Sequence, residues 1–453
     1  MKFNLPKRGR RIHFVGIGGA GMGGIAEVMH RIGYAITGSD LSKNNMTQRL
    51  TALGVKVQTG HKAEHVHGCD VVVISSAVTE ENPEVQAARE QRIPILPRAE
   101  MLGELMRFSE GIAVAGTHGK TTTTSLIASI LAEGNLDPTF VIGGRLNSAG
   151  THASLGSGKY LVAEADESDA SFLYLKPTMA VVTNIDADHL KTYNNDFNLL
   201  RKTFADFLQQ LPFYGLAVLC IDDPVIEDML PQLTKHKITY GFSEKADIRA
   251  VNLQQKQGKS YFSVLHNQLP WLDIELTLPG KHNVNNALAA IAVAHELGVS
   301  NIDINRALSN FSGIDRRFQM KTIGEILHID DYGHHPCEIA ATLDAINAGW
   351  NDRRLVVAFQ PHRYSRTHDL FDDFVEVLSK IENLILLDIY PAGENPIEGV
   401  TGESLCDAIA QKTGVKPQLV QQVAQLKSTL TPLLKNQDIL LTLGAGNIGH
   451  YEH

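Results

Sequence analysis

The chain has 453 residues, 43% hydrophobic and 20% charged, with a formal net charge of -9. At roughly 100–200 residues per domain that length allows about three domains with real cores. So acidic a chain has no bulk field for a nucleic-acid backbone, which excludes nucleic acid as a partner and leaves phosphate binding to local sites. The four cysteines, Cys69, Cys220, Cys337 and Cys406, lie far apart. With no CxxC pair or Cys/His metal spacing, they exclude a disulfide framework and a thiolate zinc site and suit a reducing compartment.

The basic run Lys7–Arg11 precedes a stretch broken by His13 and glycines and running into Glu27, unlike a signal peptide. No stretch has the 18 or more apolar residues of a membrane span. A soluble, cytoplasmic protein without a membrane partner is expected.

In chain order, Arg11–Val15, Tyr34–Gly38, Val71–Ser75 and Ile93–Leu96 read as strands, separated by helical patterns such as Gly21–Arg31 and Pro83–Gln91. The rhythm restarts at Ile112–Ala115, followed by a helix over Lys120–Glu133 and strands at Tyr160–Ala165, Ala180–Thr183 and Leu216–Ile221. Such alternation predicts parallel sheets covered by helices. Between Asp247 and Leu278 the helices vanish, and antiparallel strands are expected on one edge of the second unit. A third alternating unit follows Arg316-Arg317-Phe318, with strands at Ile326–Ile329, Leu355–Phe359, Leu384–Leu387 and Ile439–Leu443. The pattern restarts divide the chain into 1–108, 109–313 and 314–453. It stops at His453 just after a Gly-rich turn, where a covering helix would normally follow, so either this variant ends early or the chain was shortened.

Two turns carry phosphate chemistry. Gly16-Ile17-Gly18-Gly19-Ala20-Gly21 follows a strand, opens a helix and fits G-x-G-x-x-G, in which backbone N–H groups approach a diphosphate at a helix N-terminus. Asp40 ends the next strand, where a carboxylate can accept ribose hydroxyls. The pattern says diphosphate plus ribose without specifying a nicotinamide cofactor, and a ligand-free glycine turn is the plain alternative. Ala115-Gly116-Thr117-His118-Gly119-Lys120-Thr121-Thr122 is the stronger signal. Gly119, Lys120 and Thr121 match the end of a P-loop, with the lysine for β/γ-phosphates and the hydroxyl for Mg2+. The P-loop's first glycine would fall at Val114, so the turn is shorter or differently wound.

Glu164, Asp166, Glu167 and Asp169 follow one strand, and Asp186, Asp188 and His189 follow another. At the carboxyl ends of parallel strands both clusters should lie beside the P-loop. Singly each acid reads as a solvated loop carboxylate; Glu164 and His189 together favour a Mg2+ site. The closing Gly444-Ala445-Gly446-Asn447-Ile448-Gly449 also fits G-x-G-x-x-G, but with no helix or later acid it reads as a tight turn.

These residues resemble the Mur ligase family, the ATP-dependent amide ligases of peptidoglycan precursor synthesis, over nearly the whole chain. The motifs, in order, are GIGGAGM (Gly16–Met22), AGTHGKTTT (Ala115–Thr123), EADESD (Glu164–Asp169), TNIDADH (Thr183–His189), GKHNVNNALAA (Gly280–Ala290), DRRF (Asp315–Phe318), DDYGHHP (Asp330–Pro336), QPHRYSRT (Gln360–Thr367) and GAGNI (Gly444–Ile448). They are most similar to the alanine-adding branch. The tripeptide-recycling branch carries Tyr where this chain has Ser168 and lacks an HRYSRT-like run. Later ligases carry a carbamylated lysine at a position that falls near Phe204.

The resemblance implies an α/β fold of three domains: an N-terminal Rossmann-like domain, a central P-loop-type ATPase fold with a mixed sheet, and a C-terminal Rossmann-like domain. It implies that L-alanine is joined to the lactyl carboxylate of UDP-N-acetylmuramate through an acyl phosphate, with ATP and Mg2+ as cofactors, by a monomer or homodimer. The UDP-sugar would meet Gly16, Gly18, Gly19, Ala20, Gly21, Met22, Asp40 and Ser76. ATP would meet Gly116, Thr117, His118, Gly119, Lys120, Thr121, Thr122, Asn283, Asn286, Arg317 and Asp331. Mg2+ would be held by Thr121, Glu164 and His189, and the amino acid by Tyr332, His334, Arg363 and Arg366. Lys120, Glu164, His189, His334, Arg363 and Arg366 form the implied catalytic set, with His334 the candidate base. Without the resemblance Asn283 and Asn286 read as surface or capping residues, Arg363 and Arg366 as surface arginines, and His335 and His362 as packing residues.

Two rivals remain at this point. A dehydrogenase would use the first glycine turn but leave the P-loop and acids idle. A nucleotide-dependent switch would not need the Arg/His cluster. Dependence on NAD, on ATP alone, or on ATP with sugar nucleotide and amino acid together separates them.

Overall fold

The computed structural model describes residues 11–75 and 77–451. Short, largely apolar runs form the central strands of its sheets. In the first, Arg11–Val15 is central, with Ala35–Asp40 and then Lys56–Thr59 on one side and Val71–Ile74 and then Ile95–Pro97 on the other, all parallel. The strand order reverses beside Arg11–Val15, so the crevice beyond its carboxyl end is where the first glycine turn lies.

The second sheet has ten strands, in the order Leu269–Leu276, Lys259–His266, Ile248–Lys256, His236–Gly241, Leu216–Cys220, Met179–Val182, Glu110–Ala115, Tyr160–Glu164, Thr139–Leu146, Thr151–Ser154. The expected antiparallel strands end one edge. Gln257 and Gly258 link Ile248–Lys256 to Lys259–His266, and Asn267 and Gln268 link that strand to Leu269–Leu276; all four have positive φ, the twist that suits a two-residue hairpin. Thr139–Leu146 and Thr151–Ser154 form an antiparallel pair at the other edge. Glu110–Ala115 lies between Tyr160–Glu164 and Met179–Val182, parallel to both. The turn after it therefore sits between the two acidic loops.

The helix Lys120–Glu133 buries ten of its residues, including Thr121–Ser125. A run of threonines is a weak helix former. Here the Thr124 hydroxyl donates to Lys120 O (2.8 Å) and that of Thr123 to Asn286 Oδ1 (3.1 Å). Phe204, near the position of the missing lysine, is fully buried, its ring edge-on to Phe172 at 5.2 Å.

The third sheet runs Gln319–Ile323, Ile326–Asp331, Ile439–Leu443, Leu355–Phe359, Leu384–Leu387, Gln418–Val420, parallel except for the first strand. One face carries a core that includes Ile329, Val357, Phe359, Phe374, Leu386 and Leu441. The other carries Val356, Ala358, Ile385, Leu387 and Leu440. That period of two is what strands covered on both sides require.

The chain divides into two compact units. One takes the chain up to Leu253 with Tyr261–Leu276 and Asn283–Ser312; the other takes Gln254–Ser260, Thr277–His282 and everything from Gly313 on. Among the described residues no helix is long and apolar enough to cross a membrane.

Candidate functional site

In the first unit, Arg11–Val15 gives way to Gly16 in the left-handed region (φ 78°), and the helix Ala20–Ile32 begins four residues later. Gly16 N–H and Ile17 N–H both donate to Ser39 O, at 2.8 and 3.0 Å. Asp40 accepts Gly18 N–H (2.8 Å) on one oxygen and Ser42 N–H (3.2 Å) on the other. Asp40 thus closes the turn upon itself, and Asn44 Nδ2 holds Gly18 O from the other side at 3.1 Å. A Cβ on Gly18 would stand 2.6 Å from Asn44 Nδ2 and 2.7 Å from Asp40 Oδ2, so any larger residue would have to displace both side chains. Met22 is buried in the helix, whose first turn has no acid to oppose an anion. Arg98 lies over Gly21, its Nη1 3.3 Å from where a Cβ would be, and its Nη2 is 3.3 Å from Asp166. Ser76 falls outside the described residues.

Beneath this turn is a buried polar cluster that no motif announces. Glu84, fully buried, accepts the Ser39 hydroxyl (2.5 Å) and faces His65 Nδ1 (2.5 Å), His61 Nδ1 (3.2 Å) and His13 Nε2 (3.6 Å). Burial pushes its carboxyl up, but His13, Ser39 and His65 outweigh that and hold it at about 2. The same serine that steadies the turn through its carbonyl is steadied through its hydroxyl by Glu84.

The second turn is wound with Gly116 at φ 130° and Gly119 at φ 83°, and Lys120 is the first residue of the following helix. Its Nζ donates to Gly116 O (2.6 Å), Thr117 O (3.1 Å) and both oxygens of Glu167 (3.0 and 2.8 Å). Burial works against the ammonium, but Glu167, Asp166 and Glu164 overcome it and raise its pKa. Asn184 clamps the turn by accepting His118 N–H (2.8 Å) and donating to His118 O (3.0 Å). Thr183 Oγ1 adds a bond to His118 O at 2.6 Å, and Thr117 Oγ1 accepts Asp186 N–H at 2.9 Å.

Thr121 and Thr122 are buried in the first helical turn. Asn286 lies directly under Gly119, where a Cβ would come within 2.5 Å of its Oδ1, and its Nδ2 donates to Asn283 Oδ1 at 3.3 Å. These two asparagines, both buried, brace the turn and are not surface residues. Glu164 accepts Gly143 N–H at 2.8 Å. His189 has left-handed backbone (φ 55°), with its Nε2 3.4 Å from Asp188.

The second unit carries most of the other candidates beyond the carboxyl ends of Ile326–Asp331 and Leu355–Phe359, the two strands that flank Ile439–Leu443. Asp331 is buried, accepting Phe318 N–H (2.7 Å) and Gly333 N–H (2.8 Å), and burial raises its carboxyl pKa against the pull of Arg317. The Arg317 guanidinium lies 5.0 Å over the Tyr332 ring, and that ring meets His334 edge-on at 5.5 Å. His334 is 5.9 Å from the His362 ring, and Arg366 Nη1 is 3.4 Å from His362 O. Burial lowers His334 to about 4 and His362 to about 3, so both rings are neutral near pH 7. Arg363 is half-exposed with its backbone at φ 73°. The closing glycine turn is structural: Arg316 donates to Gly444 O (2.5 Å) and Gly446 O (3.4 Å) and pairs with Asp330 at 3.1 Å.

The motifs thus assemble into two phosphate-shaped turns in one unit and an Arg/His/Tyr cluster in the other. Sequence reading singled out neither Glu84 nor Asn184. It named Glu167 only as one of several acids, although the spacing of the acidic run was a signal for it.

Profiles of known families match in chain order: "Mur ligase family, catalytic domain" over residues 11–110, "Mur ligase middle domain" over 114–294, and "Mur ligase, glutamate ligase domain" over 316–446. The UDP-N-acetylmuramate–L-alanine ligase of Halorhodospira halophila is 59% identical over 447 residues, covering 98% of this chain and 92% of that protein. Among solved structures, the UDP-N-acetylmuramate–alanine ligase MurC of Thermotoga maritima matches with TM-score 0.83 and 29% identity, covering 97% of each chain. The murein peptide ligase of Psychrobacter arcticus matches with TM-score 0.72 and 26% identity, over 98% of this chain and 97% of that one. With three family profiles end to end and a relative this similar along nearly its whole length, the chain belongs to the Mur ligase family.

Proposed function

We infer that this chain is a cytoplasmic enzyme joining L-alanine to the lactyl carboxylate of UDP-N-acetylmuramate, with ATP and Mg2+, in peptidoglycan precursor synthesis. The observation that carries the reading is the 59% identity, over 98% of the chain, to a ligase with that specificity. The alanine-adding structure is also the better match of the two above, TM-score 0.83 against 0.72 for the peptide-recycling one. The domains that divide the work are 1–108 for the UDP-sugar, 109–313 for ATP and Mg2+, and 314–453 for the amino acid.

Phosphoryl transfer asks a protein mainly for position and charge neutralisation. Lys120 supplies the charge, and its bonds to the turn's own carbonyls and to Glu167 keep the ammonium where phosphate oxygens would replace them. Gly116–Thr122 line the phosphates, and Asn283, Asn286, Arg317 and Asp331 are assigned to the nucleotide. Thr121, Glu164 and His189 are the residues that would hold Mg2+. The Thr121 hydroxyl and Glu164 carboxylate are the hard oxygen donors that ion prefers, next to a lysine whose charge already feels Glu164. The metal and ATP supply Lewis acidity and an activated phosphoryl group. Gly16–Met22, Asp40 and Ser76 bind the UDP-sugar, with Gly16 and Ile17 held on Ser39 O.

Arg363 and Arg366 offer guanidinium forks to the amino-acid carboxylate, beside Tyr332. His334, neutral down to about pH 4, is able to take a proton from the attacking amine, whose nitrogen forms the amide bond as phosphate leaves the acyl phosphate.

The test is phosphate release from ATP and Mg2+ with UDP-N-acetylmuramate and L-alanine added singly and together, and with Lys120→Ala as a control. Release is expected only with both substrates and the native lysine. Release with the tripeptide in place of L-alanine would move the chain to the recycling branch. Normal turnover by Lys120→Ala would remove the P-loop assignment.

A further inference from the structure

Arg363 stands at the start of the short helix Tyr364–Asp369 with φ 73° and ψ 136°, a conformation that a bulky L-residue adopts only when its surroundings impose it. As the N-cap residue it makes no side-chain cap bond, so the first amide groups of the helix need a partner from elsewhere. That partner is Glu394. Its Oε2 accepts Ser365 N–H at 2.9 Å, its Oε1 accepts the Ser365 hydroxyl at 2.7 Å, and the carboxylate lies 4.0 Å from Arg363 Nη1.

The segment that delivers Glu394 is locked to the same stretch of backbone. Arg363 N–H donates to Tyr390 O and Tyr390 N–H to Pro361 O, both at 2.8 Å, and the Tyr390 ring stacks on His362 at 5.5 Å with 9° between planes. A tight turn with Ala392 and Gly393 both at positive φ is closed by Glu394 N–H on Pro391 O at 2.9 Å. It brings the carboxylate back to the helix. Two backbone bonds and one ring stack fix the segment, and Glu394 fixes Arg363.

We propose that Glu394 is a positioning residue for the amino-acid site: it caps the helix that Arg363 opens, holds Arg363 in its left-handed conformation and orients the guanidinium. The assignment rests on the function proposed above, because its consequence is read in the use of L-alanine. Without the carboxylate the helix start loses its acceptor and Arg363 relaxes toward an ordinary conformation, swinging the guanidinium away. A strained arginine is useful only while it stays put.

The experiment compares native protein, Glu394→Ala, Glu394→Gln, Arg363→Ala and the Arg363→Ala/Glu394→Ala double variant, with separate KM values for L-alanine, ATP and UDP-N-acetylmuramate. Glu394→Ala is expected to raise the KM for L-alanine about tenfold while the other two stay within about twofold. Glu394→Gln keeps an acceptor for Ser365 N–H and is expected to recover part of the loss. Once Arg363 is alanine, removing Glu394 should add little, a non-additivity that a merely structural role would not produce. Native-like kinetics in Glu394→Ala, equal rises in all three KM values, or full additivity in the double variant would overturn the assignment. Should Glu394→Ala fail to fold, Glu394→Gln alone and in the Arg363→Ala background decides by the same criteria. Native protein that releases phosphate without needing L-alanine would instead defeat the proposed function.

Discussion

Replacing Glu84 by glutamine tests whether the buried cluster under the first glycine turn holds that turn in place. The native carboxyl is held at about 2 against an ordinary 4.5, which at roughly 1.4 kcal/mol per pH unit corresponds to ~3 kcal/mol. Removing one member of a buried charged network typically destabilises by about 3–5 kcal/mol, a comparable size. The side chain is fully buried, so solvent screening does not reduce the figure. At ~2–4 °C per kcal/mol the variant should unfold ~6–12 °C below the native protein near neutral pH. The sign with pH follows from the lowered carboxyl. Its stabilisation is complete above 4.5 and is lost as pH falls from there toward about 2. Thermal unfolding of both proteins should therefore show a gap that narrows below about 4.5. Because Ser39 links Glu84 to Gly16 and Ile17, the KM for UDP-N-acetylmuramate should rise in the same variant. A stability loss under ~0.5 kcal/mol, the size of an ordinary surface change, or a gap that does not narrow as pH falls below about 4.5 would refute the reasoning.

Gly119→Ala combines a left-handed φ of 83° with a Cβ 2.5 Å from Asn286 Oδ1, so the P-loop must shift. The KM for ATP should rise about tenfold or more. Gly298→Ala, at φ 74° with open space around it, carries the backbone strain alone and should leave that KM unchanged in the same steady-state assay. His334, lowered by burial to about 4, is neutral above that value and is lost as a base only as pH falls through it. The acid limb of kcat/KM for L-alanine should therefore lie near 4. An acid limb that persists unchanged in His334→Asn would contradict the assignment.

Much of the scaffold was legible from apolar patterning. The strands Arg11–Val15, Leu355–Phe359, Leu384–Leu387 and Ile439–Leu443 and the helix Lys120–Glu133 have the expected bounds, because strands covered on both faces read as largely apolar runs. Gln319–Ile323 and Gln418–Val420 escaped that reading. They are sheet-edge strands with mostly exposed or half-buried side chains, and no apolar signal marks a strand formed only by pairing with its neighbour. The glycine turns, Lys120 and the acidic runs were likewise visible, since anion-binding backbone demands glycine and a metal demands oxygen donors wherever they occur.

What the sequence by itself determined was therefore the kinds of groups and the loops that carry them. Which group faces which was decided by the tertiary structure alone. Lys120 meets Glu167 across 47 residues of chain, Glu84 meets Ser39 across 45, and Glu394 meets Ser365 across 29. Asp40 turned inward to Gly18, and two helix asparagines became braces under a P-loop. Strand order is the physical reason. A parallel sheet gathers the carboxyl ends of strands that are distant in sequence, and the partner of each buried charge is whichever residue that order places opposite it.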